Sequence, residues 1–261
     1  MKMLIDSHCH LDRLDLTPYQ NDFSQLVSDT TEQGVGHMLC VSINLERYGP
    51  MRQLVDPYPA ISASVGVHPN ETEGVEPDVE TLLSLANDPK VVAIGETGLD
   101  YFRSKGNLDW QQERFRTHIR AARTCGKPLI VHTREARDDT LQILAGEGAE
   151  AVGGVLHCFT EDWDTARKVL DLGFYISFSG ILTFKNADTI REAAKKVPED
   201  RLLVETDSPY LAPIPFRGKP NYPGYVCHVA EFLAQLRDVS LEHIAEITTQ
   251  NFHKLFAPPP A

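Results

Sequence analysis

The sequence predicts an α/β chain folded as a (β/α)8 barrel, on three observations. Short β-branched apolar runs recur along it, helical patterns fill the gaps between them, and its 261 residues are close to the usual size of such a barrel as one domain. The predicted strands are Met3 to His8, His37 to Val41, Ile61 to Val67, Val91 to Glu96, Leu129 to His132, Val155 to His157, Phe174 to Phe178 and Leu202 to Thr206. Between them, segments such as Asp22 to Gln33, Gln111 to Cys125, Asp162 to Leu172 and Asp188 to Lys196 carry apolar residues at three- and four-residue spacing, as helices covering a sheet do. Strict alternation implies parallel pairing. Gly34, Gly126 and Gly173 each follow a helical run and precede a strand, where a glycine C-cap is expected.

After the eighth run, Tyr210 to Pro223 is proline-rich and reads as a long loop, followed by helices at His228 to Arg237 and Leu241 to Leu255. The expected organisation is one domain over residues 1–257, with 258–261 a frayed tail. An open doubly wound sheet would also alternate strands and helices. However, no phosphate-binding Gly-x-x-x-x-Gly-Lys-Ser/Thr loop occurs, and the loose glycine pattern from Gly146 to Ala151 precedes a strand instead of following one.

Hydrophobic residues at 42% against 24% charged supply a core and exclude disorder. Five cysteines at irregular spacing, with no CxxC pair, argue against a disulfide framework and fit a reducing cytoplasm. The start, MKMLIDSHCHLD, lacks the apolar run of a signal peptide, and no stretch of about 18 apolar residues occurs, so neither secretion nor membrane insertion is expected. No obligate protein partner is evident. A formal charge of -12 opposes long-duplex binding through a basic surface, so a nucleic-acid substrate has to be held locally.

The chemistry is concentrated at the strand ends. Asp6-Ser-His8-Cys-His10 closes the first run, where a period of two turns His8 and His10 to one face. The fourth run closes on Glu96, the fifth on His132, the sixth on His157, and the eighth leads to Asp207. Any one of these could be an ordinary polar residue at a strand end. In a (β/α)8 barrel, however, all six surround one rim.

Four imidazoles and two carboxylates suit Zn, Mn, Mg, Fe or Ni, among which the ligand types do not choose. Six ligands exceed one tetrahedral ion. Two divalent ions sharing a carboxylate satisfy them, and Glu96, between the two histidine groups, is placed to be that bridge. Such ions lower the pKa of water from 15.7 towards about 7, making hydroxide available. Glu96 and Asp207 are the candidate catalytic residues, Asp207 orienting or deprotonating the water. Four positive charges against two carboxylates leave the pocket locally cationic, so an acidic chain can still attract a phosphodiester. His68 and Arg134 are candidate substrate contacts, although Arg134 could equally pair with Asp138 one helical turn on. Glu205 shares a face with Asp207 and is expected to support a ligand from behind. Tyr101 and Phe102 could stack on a base or simply pack.

At these residues the chain resembles the TatD family of metal-dependent hydrolases, and its YcfH-like branch in particular, from the first strand to Leu255. The motifs are Leu4-Ile-Asp-Ser-His-Cys-His-Leu-Asp12, Gly95-Glu-Thr-Gly-Leu-Asp100, Pro128-Leu-Ile-Val-His-Thr-Arg134, Leu156-His-Cys-Phe159 and Val204-Glu-Thr-Asp-Ser-Pro209. The segment Phe102 to Asn107 departs from the branch's tyrosine-rich pattern. The resemblance implies an amidohydrolase-like TIM barrel, with His8, His10, Glu96 and Asp207 around one metal and Glu96, His132 and His157 around the other. It also implies DNase activity, often exonucleolytic on single strands. Related members instead remove D-amino acids from tRNA, so a metal-dependent esterase or deacylase is the competing expectation.

Overall fold

The computed structural model describes residues 3–257; the predicted tail at 258–261 lies outside the described residues. Eight parallel strands run side by side in sequence order: β1 Leu4–Cys9, β2 Val35–Cys40, β3 Ile61–Val65, β4 Val91–Asp100, β5 Leu129–Arg134, β6 Gly154–Leu156, β7 Tyr175–Phe178 and β8 Leu202–Val204. Two backbone bonds close the ring between β8 and β1, Asp207 N–H to His8 O at 2.9 Å and His10 N–H to Ser208 O at 2.8 Å. The expected (β/α)8 barrel is therefore the fold.

Helices α1 Phe23–Glu32, α2 Leu45–Val55, α3 Val79–Ala86, α4 Asp109–Cys125, α5 Arg137–Gly146, α6 Trp163–Asp171 and α7 Asp188–Lys196 lie between successive strands, and α8 Val226–Arg237 and α9 Leu241–Phe256 complete the chain. Among the described residues, no helix is long and apolar enough to cross a membrane. Asp22, Asn44, Asp78, Asp162 and Ser240 start their helices by accepting a backbone N–H of the first turn, which satisfies a donor that has no partner within the helix. Gly34, Gly126 and Gly173 have φ of +92°, +70° and +79°, the left-handed conformation that ends a helix and is least costly for glycine.

The strands are buried on both faces over most of their length, so they are largely apolar. One set of their residues packs outward against the helices. The other set, including Ile5, Leu39, Ile130, Val155 and Leu203, fills the barrel interior together with Phe252 and Phe256 of α9. Polar chemistry is left to the opposite, C-terminal ends of the strands.

Strand limits differ from the sequence expectation where the chemistry lies. β4 does not stop at Glu96 but continues to Asp100, because Thr97, Gly98, Leu99 and Asp100 pair with Val131 to Arg134 of β5. β8 stops at Val204, so Glu205 to Asp207 form a short connection beyond it. The proline-rich loop follows, and Asn221 ties it back by donating from Nδ2 to Thr206 O at 2.9 Å and to Tyr210 O at 2.5 Å.

Candidate metal centre

Glu96 stands at the middle of the barrel mouth, and its two oxygens face different sets of rings. Oε1 lies 2.8 Å from His157 Nε2, 3.2 Å from His132 Nδ1 and 3.3 Å from His68 Nε2. Oε2 lies 3.5 Å from His8 Nε2 and 3.7 Å from His10 Nε2. Asp207 completes the second side, its Oδ1 3.4 Å from His10 Nε2 and 3.8 Å from His8 Nε2. The barrel thus brings together all six residues expected as ligands, and His68 with them.

Backbone geometry accounts for this convergence. His8 lies on β1 and His10 one residue beyond the strand, so their Nε2 atoms come within 3.3 Å of each other. Cys9, on the other face, packs into the outer core. Asp207 has a φ of +55°, uncommon for a residue with a side chain, and this local strain occurs at a polar site. Gly98 has a φ of +130°, and a Cβ there would stand 2.0 Å from His132 O. Only glycine lets β4 pass this close to the strand carrying His132.

The donor set suits divalent cations. Glu96 Oε2 and His8 Nδ1 are buried without a hydrogen-bond partner among the described residues. Five nitrogen-bearing rings and two carboxylates with converging lone pairs repel one another unless protons or cations lie between them. Three groups of side chains are close enough to hold an ion: His8, Glu96 and His157; His8, His10 and Asp207; and His68, Glu96 and His132. Imidazole with carboxylate suits ions such as Zn, Mn, Fe or Ni in an open site, unlike the thiolate-rich shell of a closed structural zinc.

Three of the rings are oriented by what their other nitrogen meets. His10 Nδ1 is 2.9 Å from Val41 O, His157 Nδ1 is 3.3 Å from Glu205 Oε1, and His132 Nε2 is 3.2 Å from Asp100 Oδ2. Such contacts fix the tautomer and aim the remaining lone pair. Glu205 also accepts from Cys158 N–H at 2.7 Å, so it lies behind His157, away from the rim.

The electrostatics follow from these neighbours. Burial alone would raise the Glu96 carboxyl, but His157 and His68 reverse this and hold it well below the carboxylate range. Burial would also raise Asp207, and His10, His8 and His157 bring it down. Burial disfavours charge on His157, yet Glu96 and Glu205 lift it well above an ordinary imidazole. His132 is raised against burial by Asp100 and Glu96. His8, by contrast, is pushed down by burial and by the His157 ring stacked 3.8 Å away.

Sequence reasoning missed two carboxylates. Asp100 accepts from Phe102 N–H, Arg103 N–H and Asn70 Nδ2 in addition to facing His132. Asp6, fully buried, accepts from Thr206 N–H at 2.8 Å, Thr206 Oγ at 2.5 Å and His8 N–H at 3.3 Å, pinning β1 to the connection that carries Asp207. Burial pushes the Asp6 carboxyl up to about 8. Extending β4 past Glu96 would have put Asp100 on the same parity, a usable signal; Asp6 gave none beyond its place in the first motif.

Arg134 lies outside the cluster of rings. Its guanidinium sits 3.9 Å over the Phe102 ring rather than on Asp138, whose carboxylate is instead 3.7 Å from Arg137 Nε. Tyr101 donates to Asp139 at 2.6 Å. Arg134 and Tyr101 line a cavity of about 620 Å³ that also includes Arg137, Thr160 and Glu161.

The model of the family described as TatD related DNase matches residues 5–257 of this chain. The chain belongs to the TatD family. The uncharacterized metal-dependent hydrolase YcfH of Escherichia coli K12 is 52% identical, over 97% of this chain and 95% of its own. YabD of Bacillus subtilis, also an uncharacterized metal-dependent hydrolase, is 42% identical over 97% of this chain and 99% of its own. The 3'-5' ssDNA/RNA exonuclease TatD of Klebsiella pneumoniae is 31% identical over 93% and 95%. Among solved structures, the TatD homologue YjjV of Escherichia coli K12 has a TM-score of 0.90 at 29% identity, covering 98% of each chain. An organophosphorus hydrolase variant from Deinococcus radiodurans reaches 0.66 at 16% identity, covering 98% of this chain and 93% of its own, a likeness of fold alone. As a TatD family member, the chain is a metal-dependent hydrolase.

Proposed function

We propose that the chain hydrolyses phosphodiester bonds at the ends of single-stranded nucleic acid, with DNA the expected substrate, using two divalent cations shared through Glu96. The observation that carries this reading is the division of Glu96, whose Oε1 faces His132 and His157 while its Oε2 faces His8 and His10. On this reading His8, His10, Glu96 and Asp207 hold one cation, and Glu96, His132 and His157 the other. Bound there, divalent cations would supply Lewis-acid polarisation of the phosphoryl group and would make water more acidic.

The chain's own groups do the rest. Asp207 is ionised and is the more accessible carboxylate, its side chain 13% exposed against 2% for Glu96, so on this reading it orients the attacking water and accepts its proton. Asp100, Glu205 and the carbonyl of Val41 hold three rings at fixed angles. Arg134 has no carboxylate partner among the described residues and lies two positions beyond His132, suited to a phosphate. A formal charge of -12 keeps nucleic acid off the general surface, so the substrate engages at the mouth. The exonuclease name of the Klebsiella pneumoniae relative supports this substrate class.

The test offers metal-reconstituted protein end-labelled single-stranded DNA, duplex DNA and a D-aminoacyl-tRNA. Stepwise shortening of the single strand supports the proposal. Deacylation of the tRNA with the DNA untouched would replace it with an acyl-ester hydrolase.

A further inference from the structure

His68 belongs to one of the three groups close enough to hold an ion, but its hydrogen bonds differ in kind from those of the other rings. The backbone N–H of Asn70 donates to His68 Nδ1 at 3.0 Å. A nitrogen that accepts an N–H carries no proton, so the neutral ring carries its single proton on Nε2. That nitrogen points at Glu96 Oε1 from 3.3 Å. An ion at Nε2 would need the lone pair that this tautomer keeps at Nδ1.

His10 and His132 have the opposite arrangement. Val41 O accepts from His10 Nδ1, freeing Nε2, and Asp100 accepts from His132 Nε2, freeing Nδ1. In both, the nitrogen facing the centre is the one without a proton once the ring is neutral.

The turn carrying His68 is held so that the Asn70 amide cannot easily leave. His68 N–H donates to Ile43 O at 2.8 Å, and Glu71 N–H donates to His68 O at 3.0 Å. Arg114 Nη1 donates to His68 O at 3.1 Å, and Asn70 Nδ2 donates to Asp100 at 2.8 Å. Turning His68 into a ligand would break the Asn70 contact and move this network.

We propose that His68 is not an ion ligand but a positioning residue, a hydrogen-bond donor locked in its Nε2–H form that fixes the rotation of Glu96 between the two ion sites. The proposal rests on the metal-centre reading of Glu96. It keeps the two proposed ion sites on either side of Glu96 and leaves His68 out of both, although His68 stands close enough to Glu96 and His132 to join them.

The test is long-range proton–nitrogen correlation on 15N-histidine-labelled protein, metal-free and loaded with Zn²⁺, with His68 assigned by the signals lost in His68→Gln. The expected result is a protonated Nε2 and a bare Nδ1 for His68 in both states, while His132 Nδ1 shifts on loading. A His68 Nδ1–H form, or a His68 Nε2 that shifts as a zinc ligand, overturns the proposal. In parallel, Zn²⁺ titration of His68→Leu is expected to show as many ions per chain as the unaltered protein, bound roughly tenfold more weakly. His68→Gln, whose amide can still donate, is expected to recover much of the affinity. Loss of one ion per chain in His68→Gln overturns the proposal. None of these readouts requires nuclease activity, so the positioning role can fail or stand independently of the substrate.

Discussion

Asp100 Oδ2 lies 3.2 Å from His132 Nε2, and His132 Nδ1 lies 3.2 Å from Glu96 Oε1, so one imidazole joins two carboxylates in a line from the end of β4 to the metal centre. Asp100 accepts at both oxygens, from Phe102 and Arg103 N–H at one and from Asn70 and His132 at the other. Asn at this position would turn an amide towards a donor. Asp100→Asn is therefore expected to weaken Zn²⁺ binding by about 10- to 100-fold in calorimetric titration. Unchanged affinity would mean that His132 needs no anchor.

A second prediction concerns the close approach of β4 and β5. Gly98→Ala would set a Cβ against His132 O in a backbone conformation unfavourable to alanine. Urea denaturation should show a loss of about 3 to 5 kcal/mol, overpacking and φ strain combined, together with weakened metal binding. A variant as stable as the parent would show that the strands part without penalty.

The third prediction is a pH dependence away from the metal centre. His118 accepts Val67 N–H at Nε2, 3.0 Å away, and its Nδ1 contacts Arg114 O at 2.8 Å, which leaves no room for a second proton. Burial, aided by the Arg114 charge and opposed by its carbonyl, lowers this ring to about 4. The unfolded chain takes up a proton near the ordinary pKa of about 6.5 while the folded chain does not, so stability is complete above that pH and falls as pH drops towards 4. Relative to His118→Gln, the parent should lose about 2 kcal/mol between pH 7 and pH 5 in metal-free urea melts. A gap constant with pH would contradict a neutral His118.

Much of this was legible in the sequence, because a (β/α)8 barrel sends the ends of distant strands to one rim. His8, His10, Glu96, His132, His157 and Asp207 could be grouped before any coordinates, since each ends or closely follows an apolar run. Asp100 was hidden because the apolar run stops before Glu96, whereas pairing with β5 carries the strand four residues further. Helix α2 is harder to read because Gly49 and Pro50 lie inside it. The contact of His68 with Glu96 could not be read from the sequence, because what its ring meets depends on the turn at Asn70. Arg134 had Asp138 within helical reach but stacks on Phe102, whose position depends on the extended β4. Tautomers and stacking partners are set by tertiary neighbours, which spacing along a chain does not encode.

The most direct test of the central claim is hydrolysis of end-labelled single-stranded DNA by the parent and by Glu96→Gln, each stripped with EDTA and then reloaded with Zn²⁺ or Mn²⁺ while bound ions are counted. The account predicts no cleavage after stripping, recovery in the parent as two ions per chain return, and a loss of at least about a thousandfold in Glu96→Gln, which no longer shares a carboxylate between them. Cleavage that survives EDTA, full activity with a single ion, or an unimpaired Glu96→Gln would contradict it.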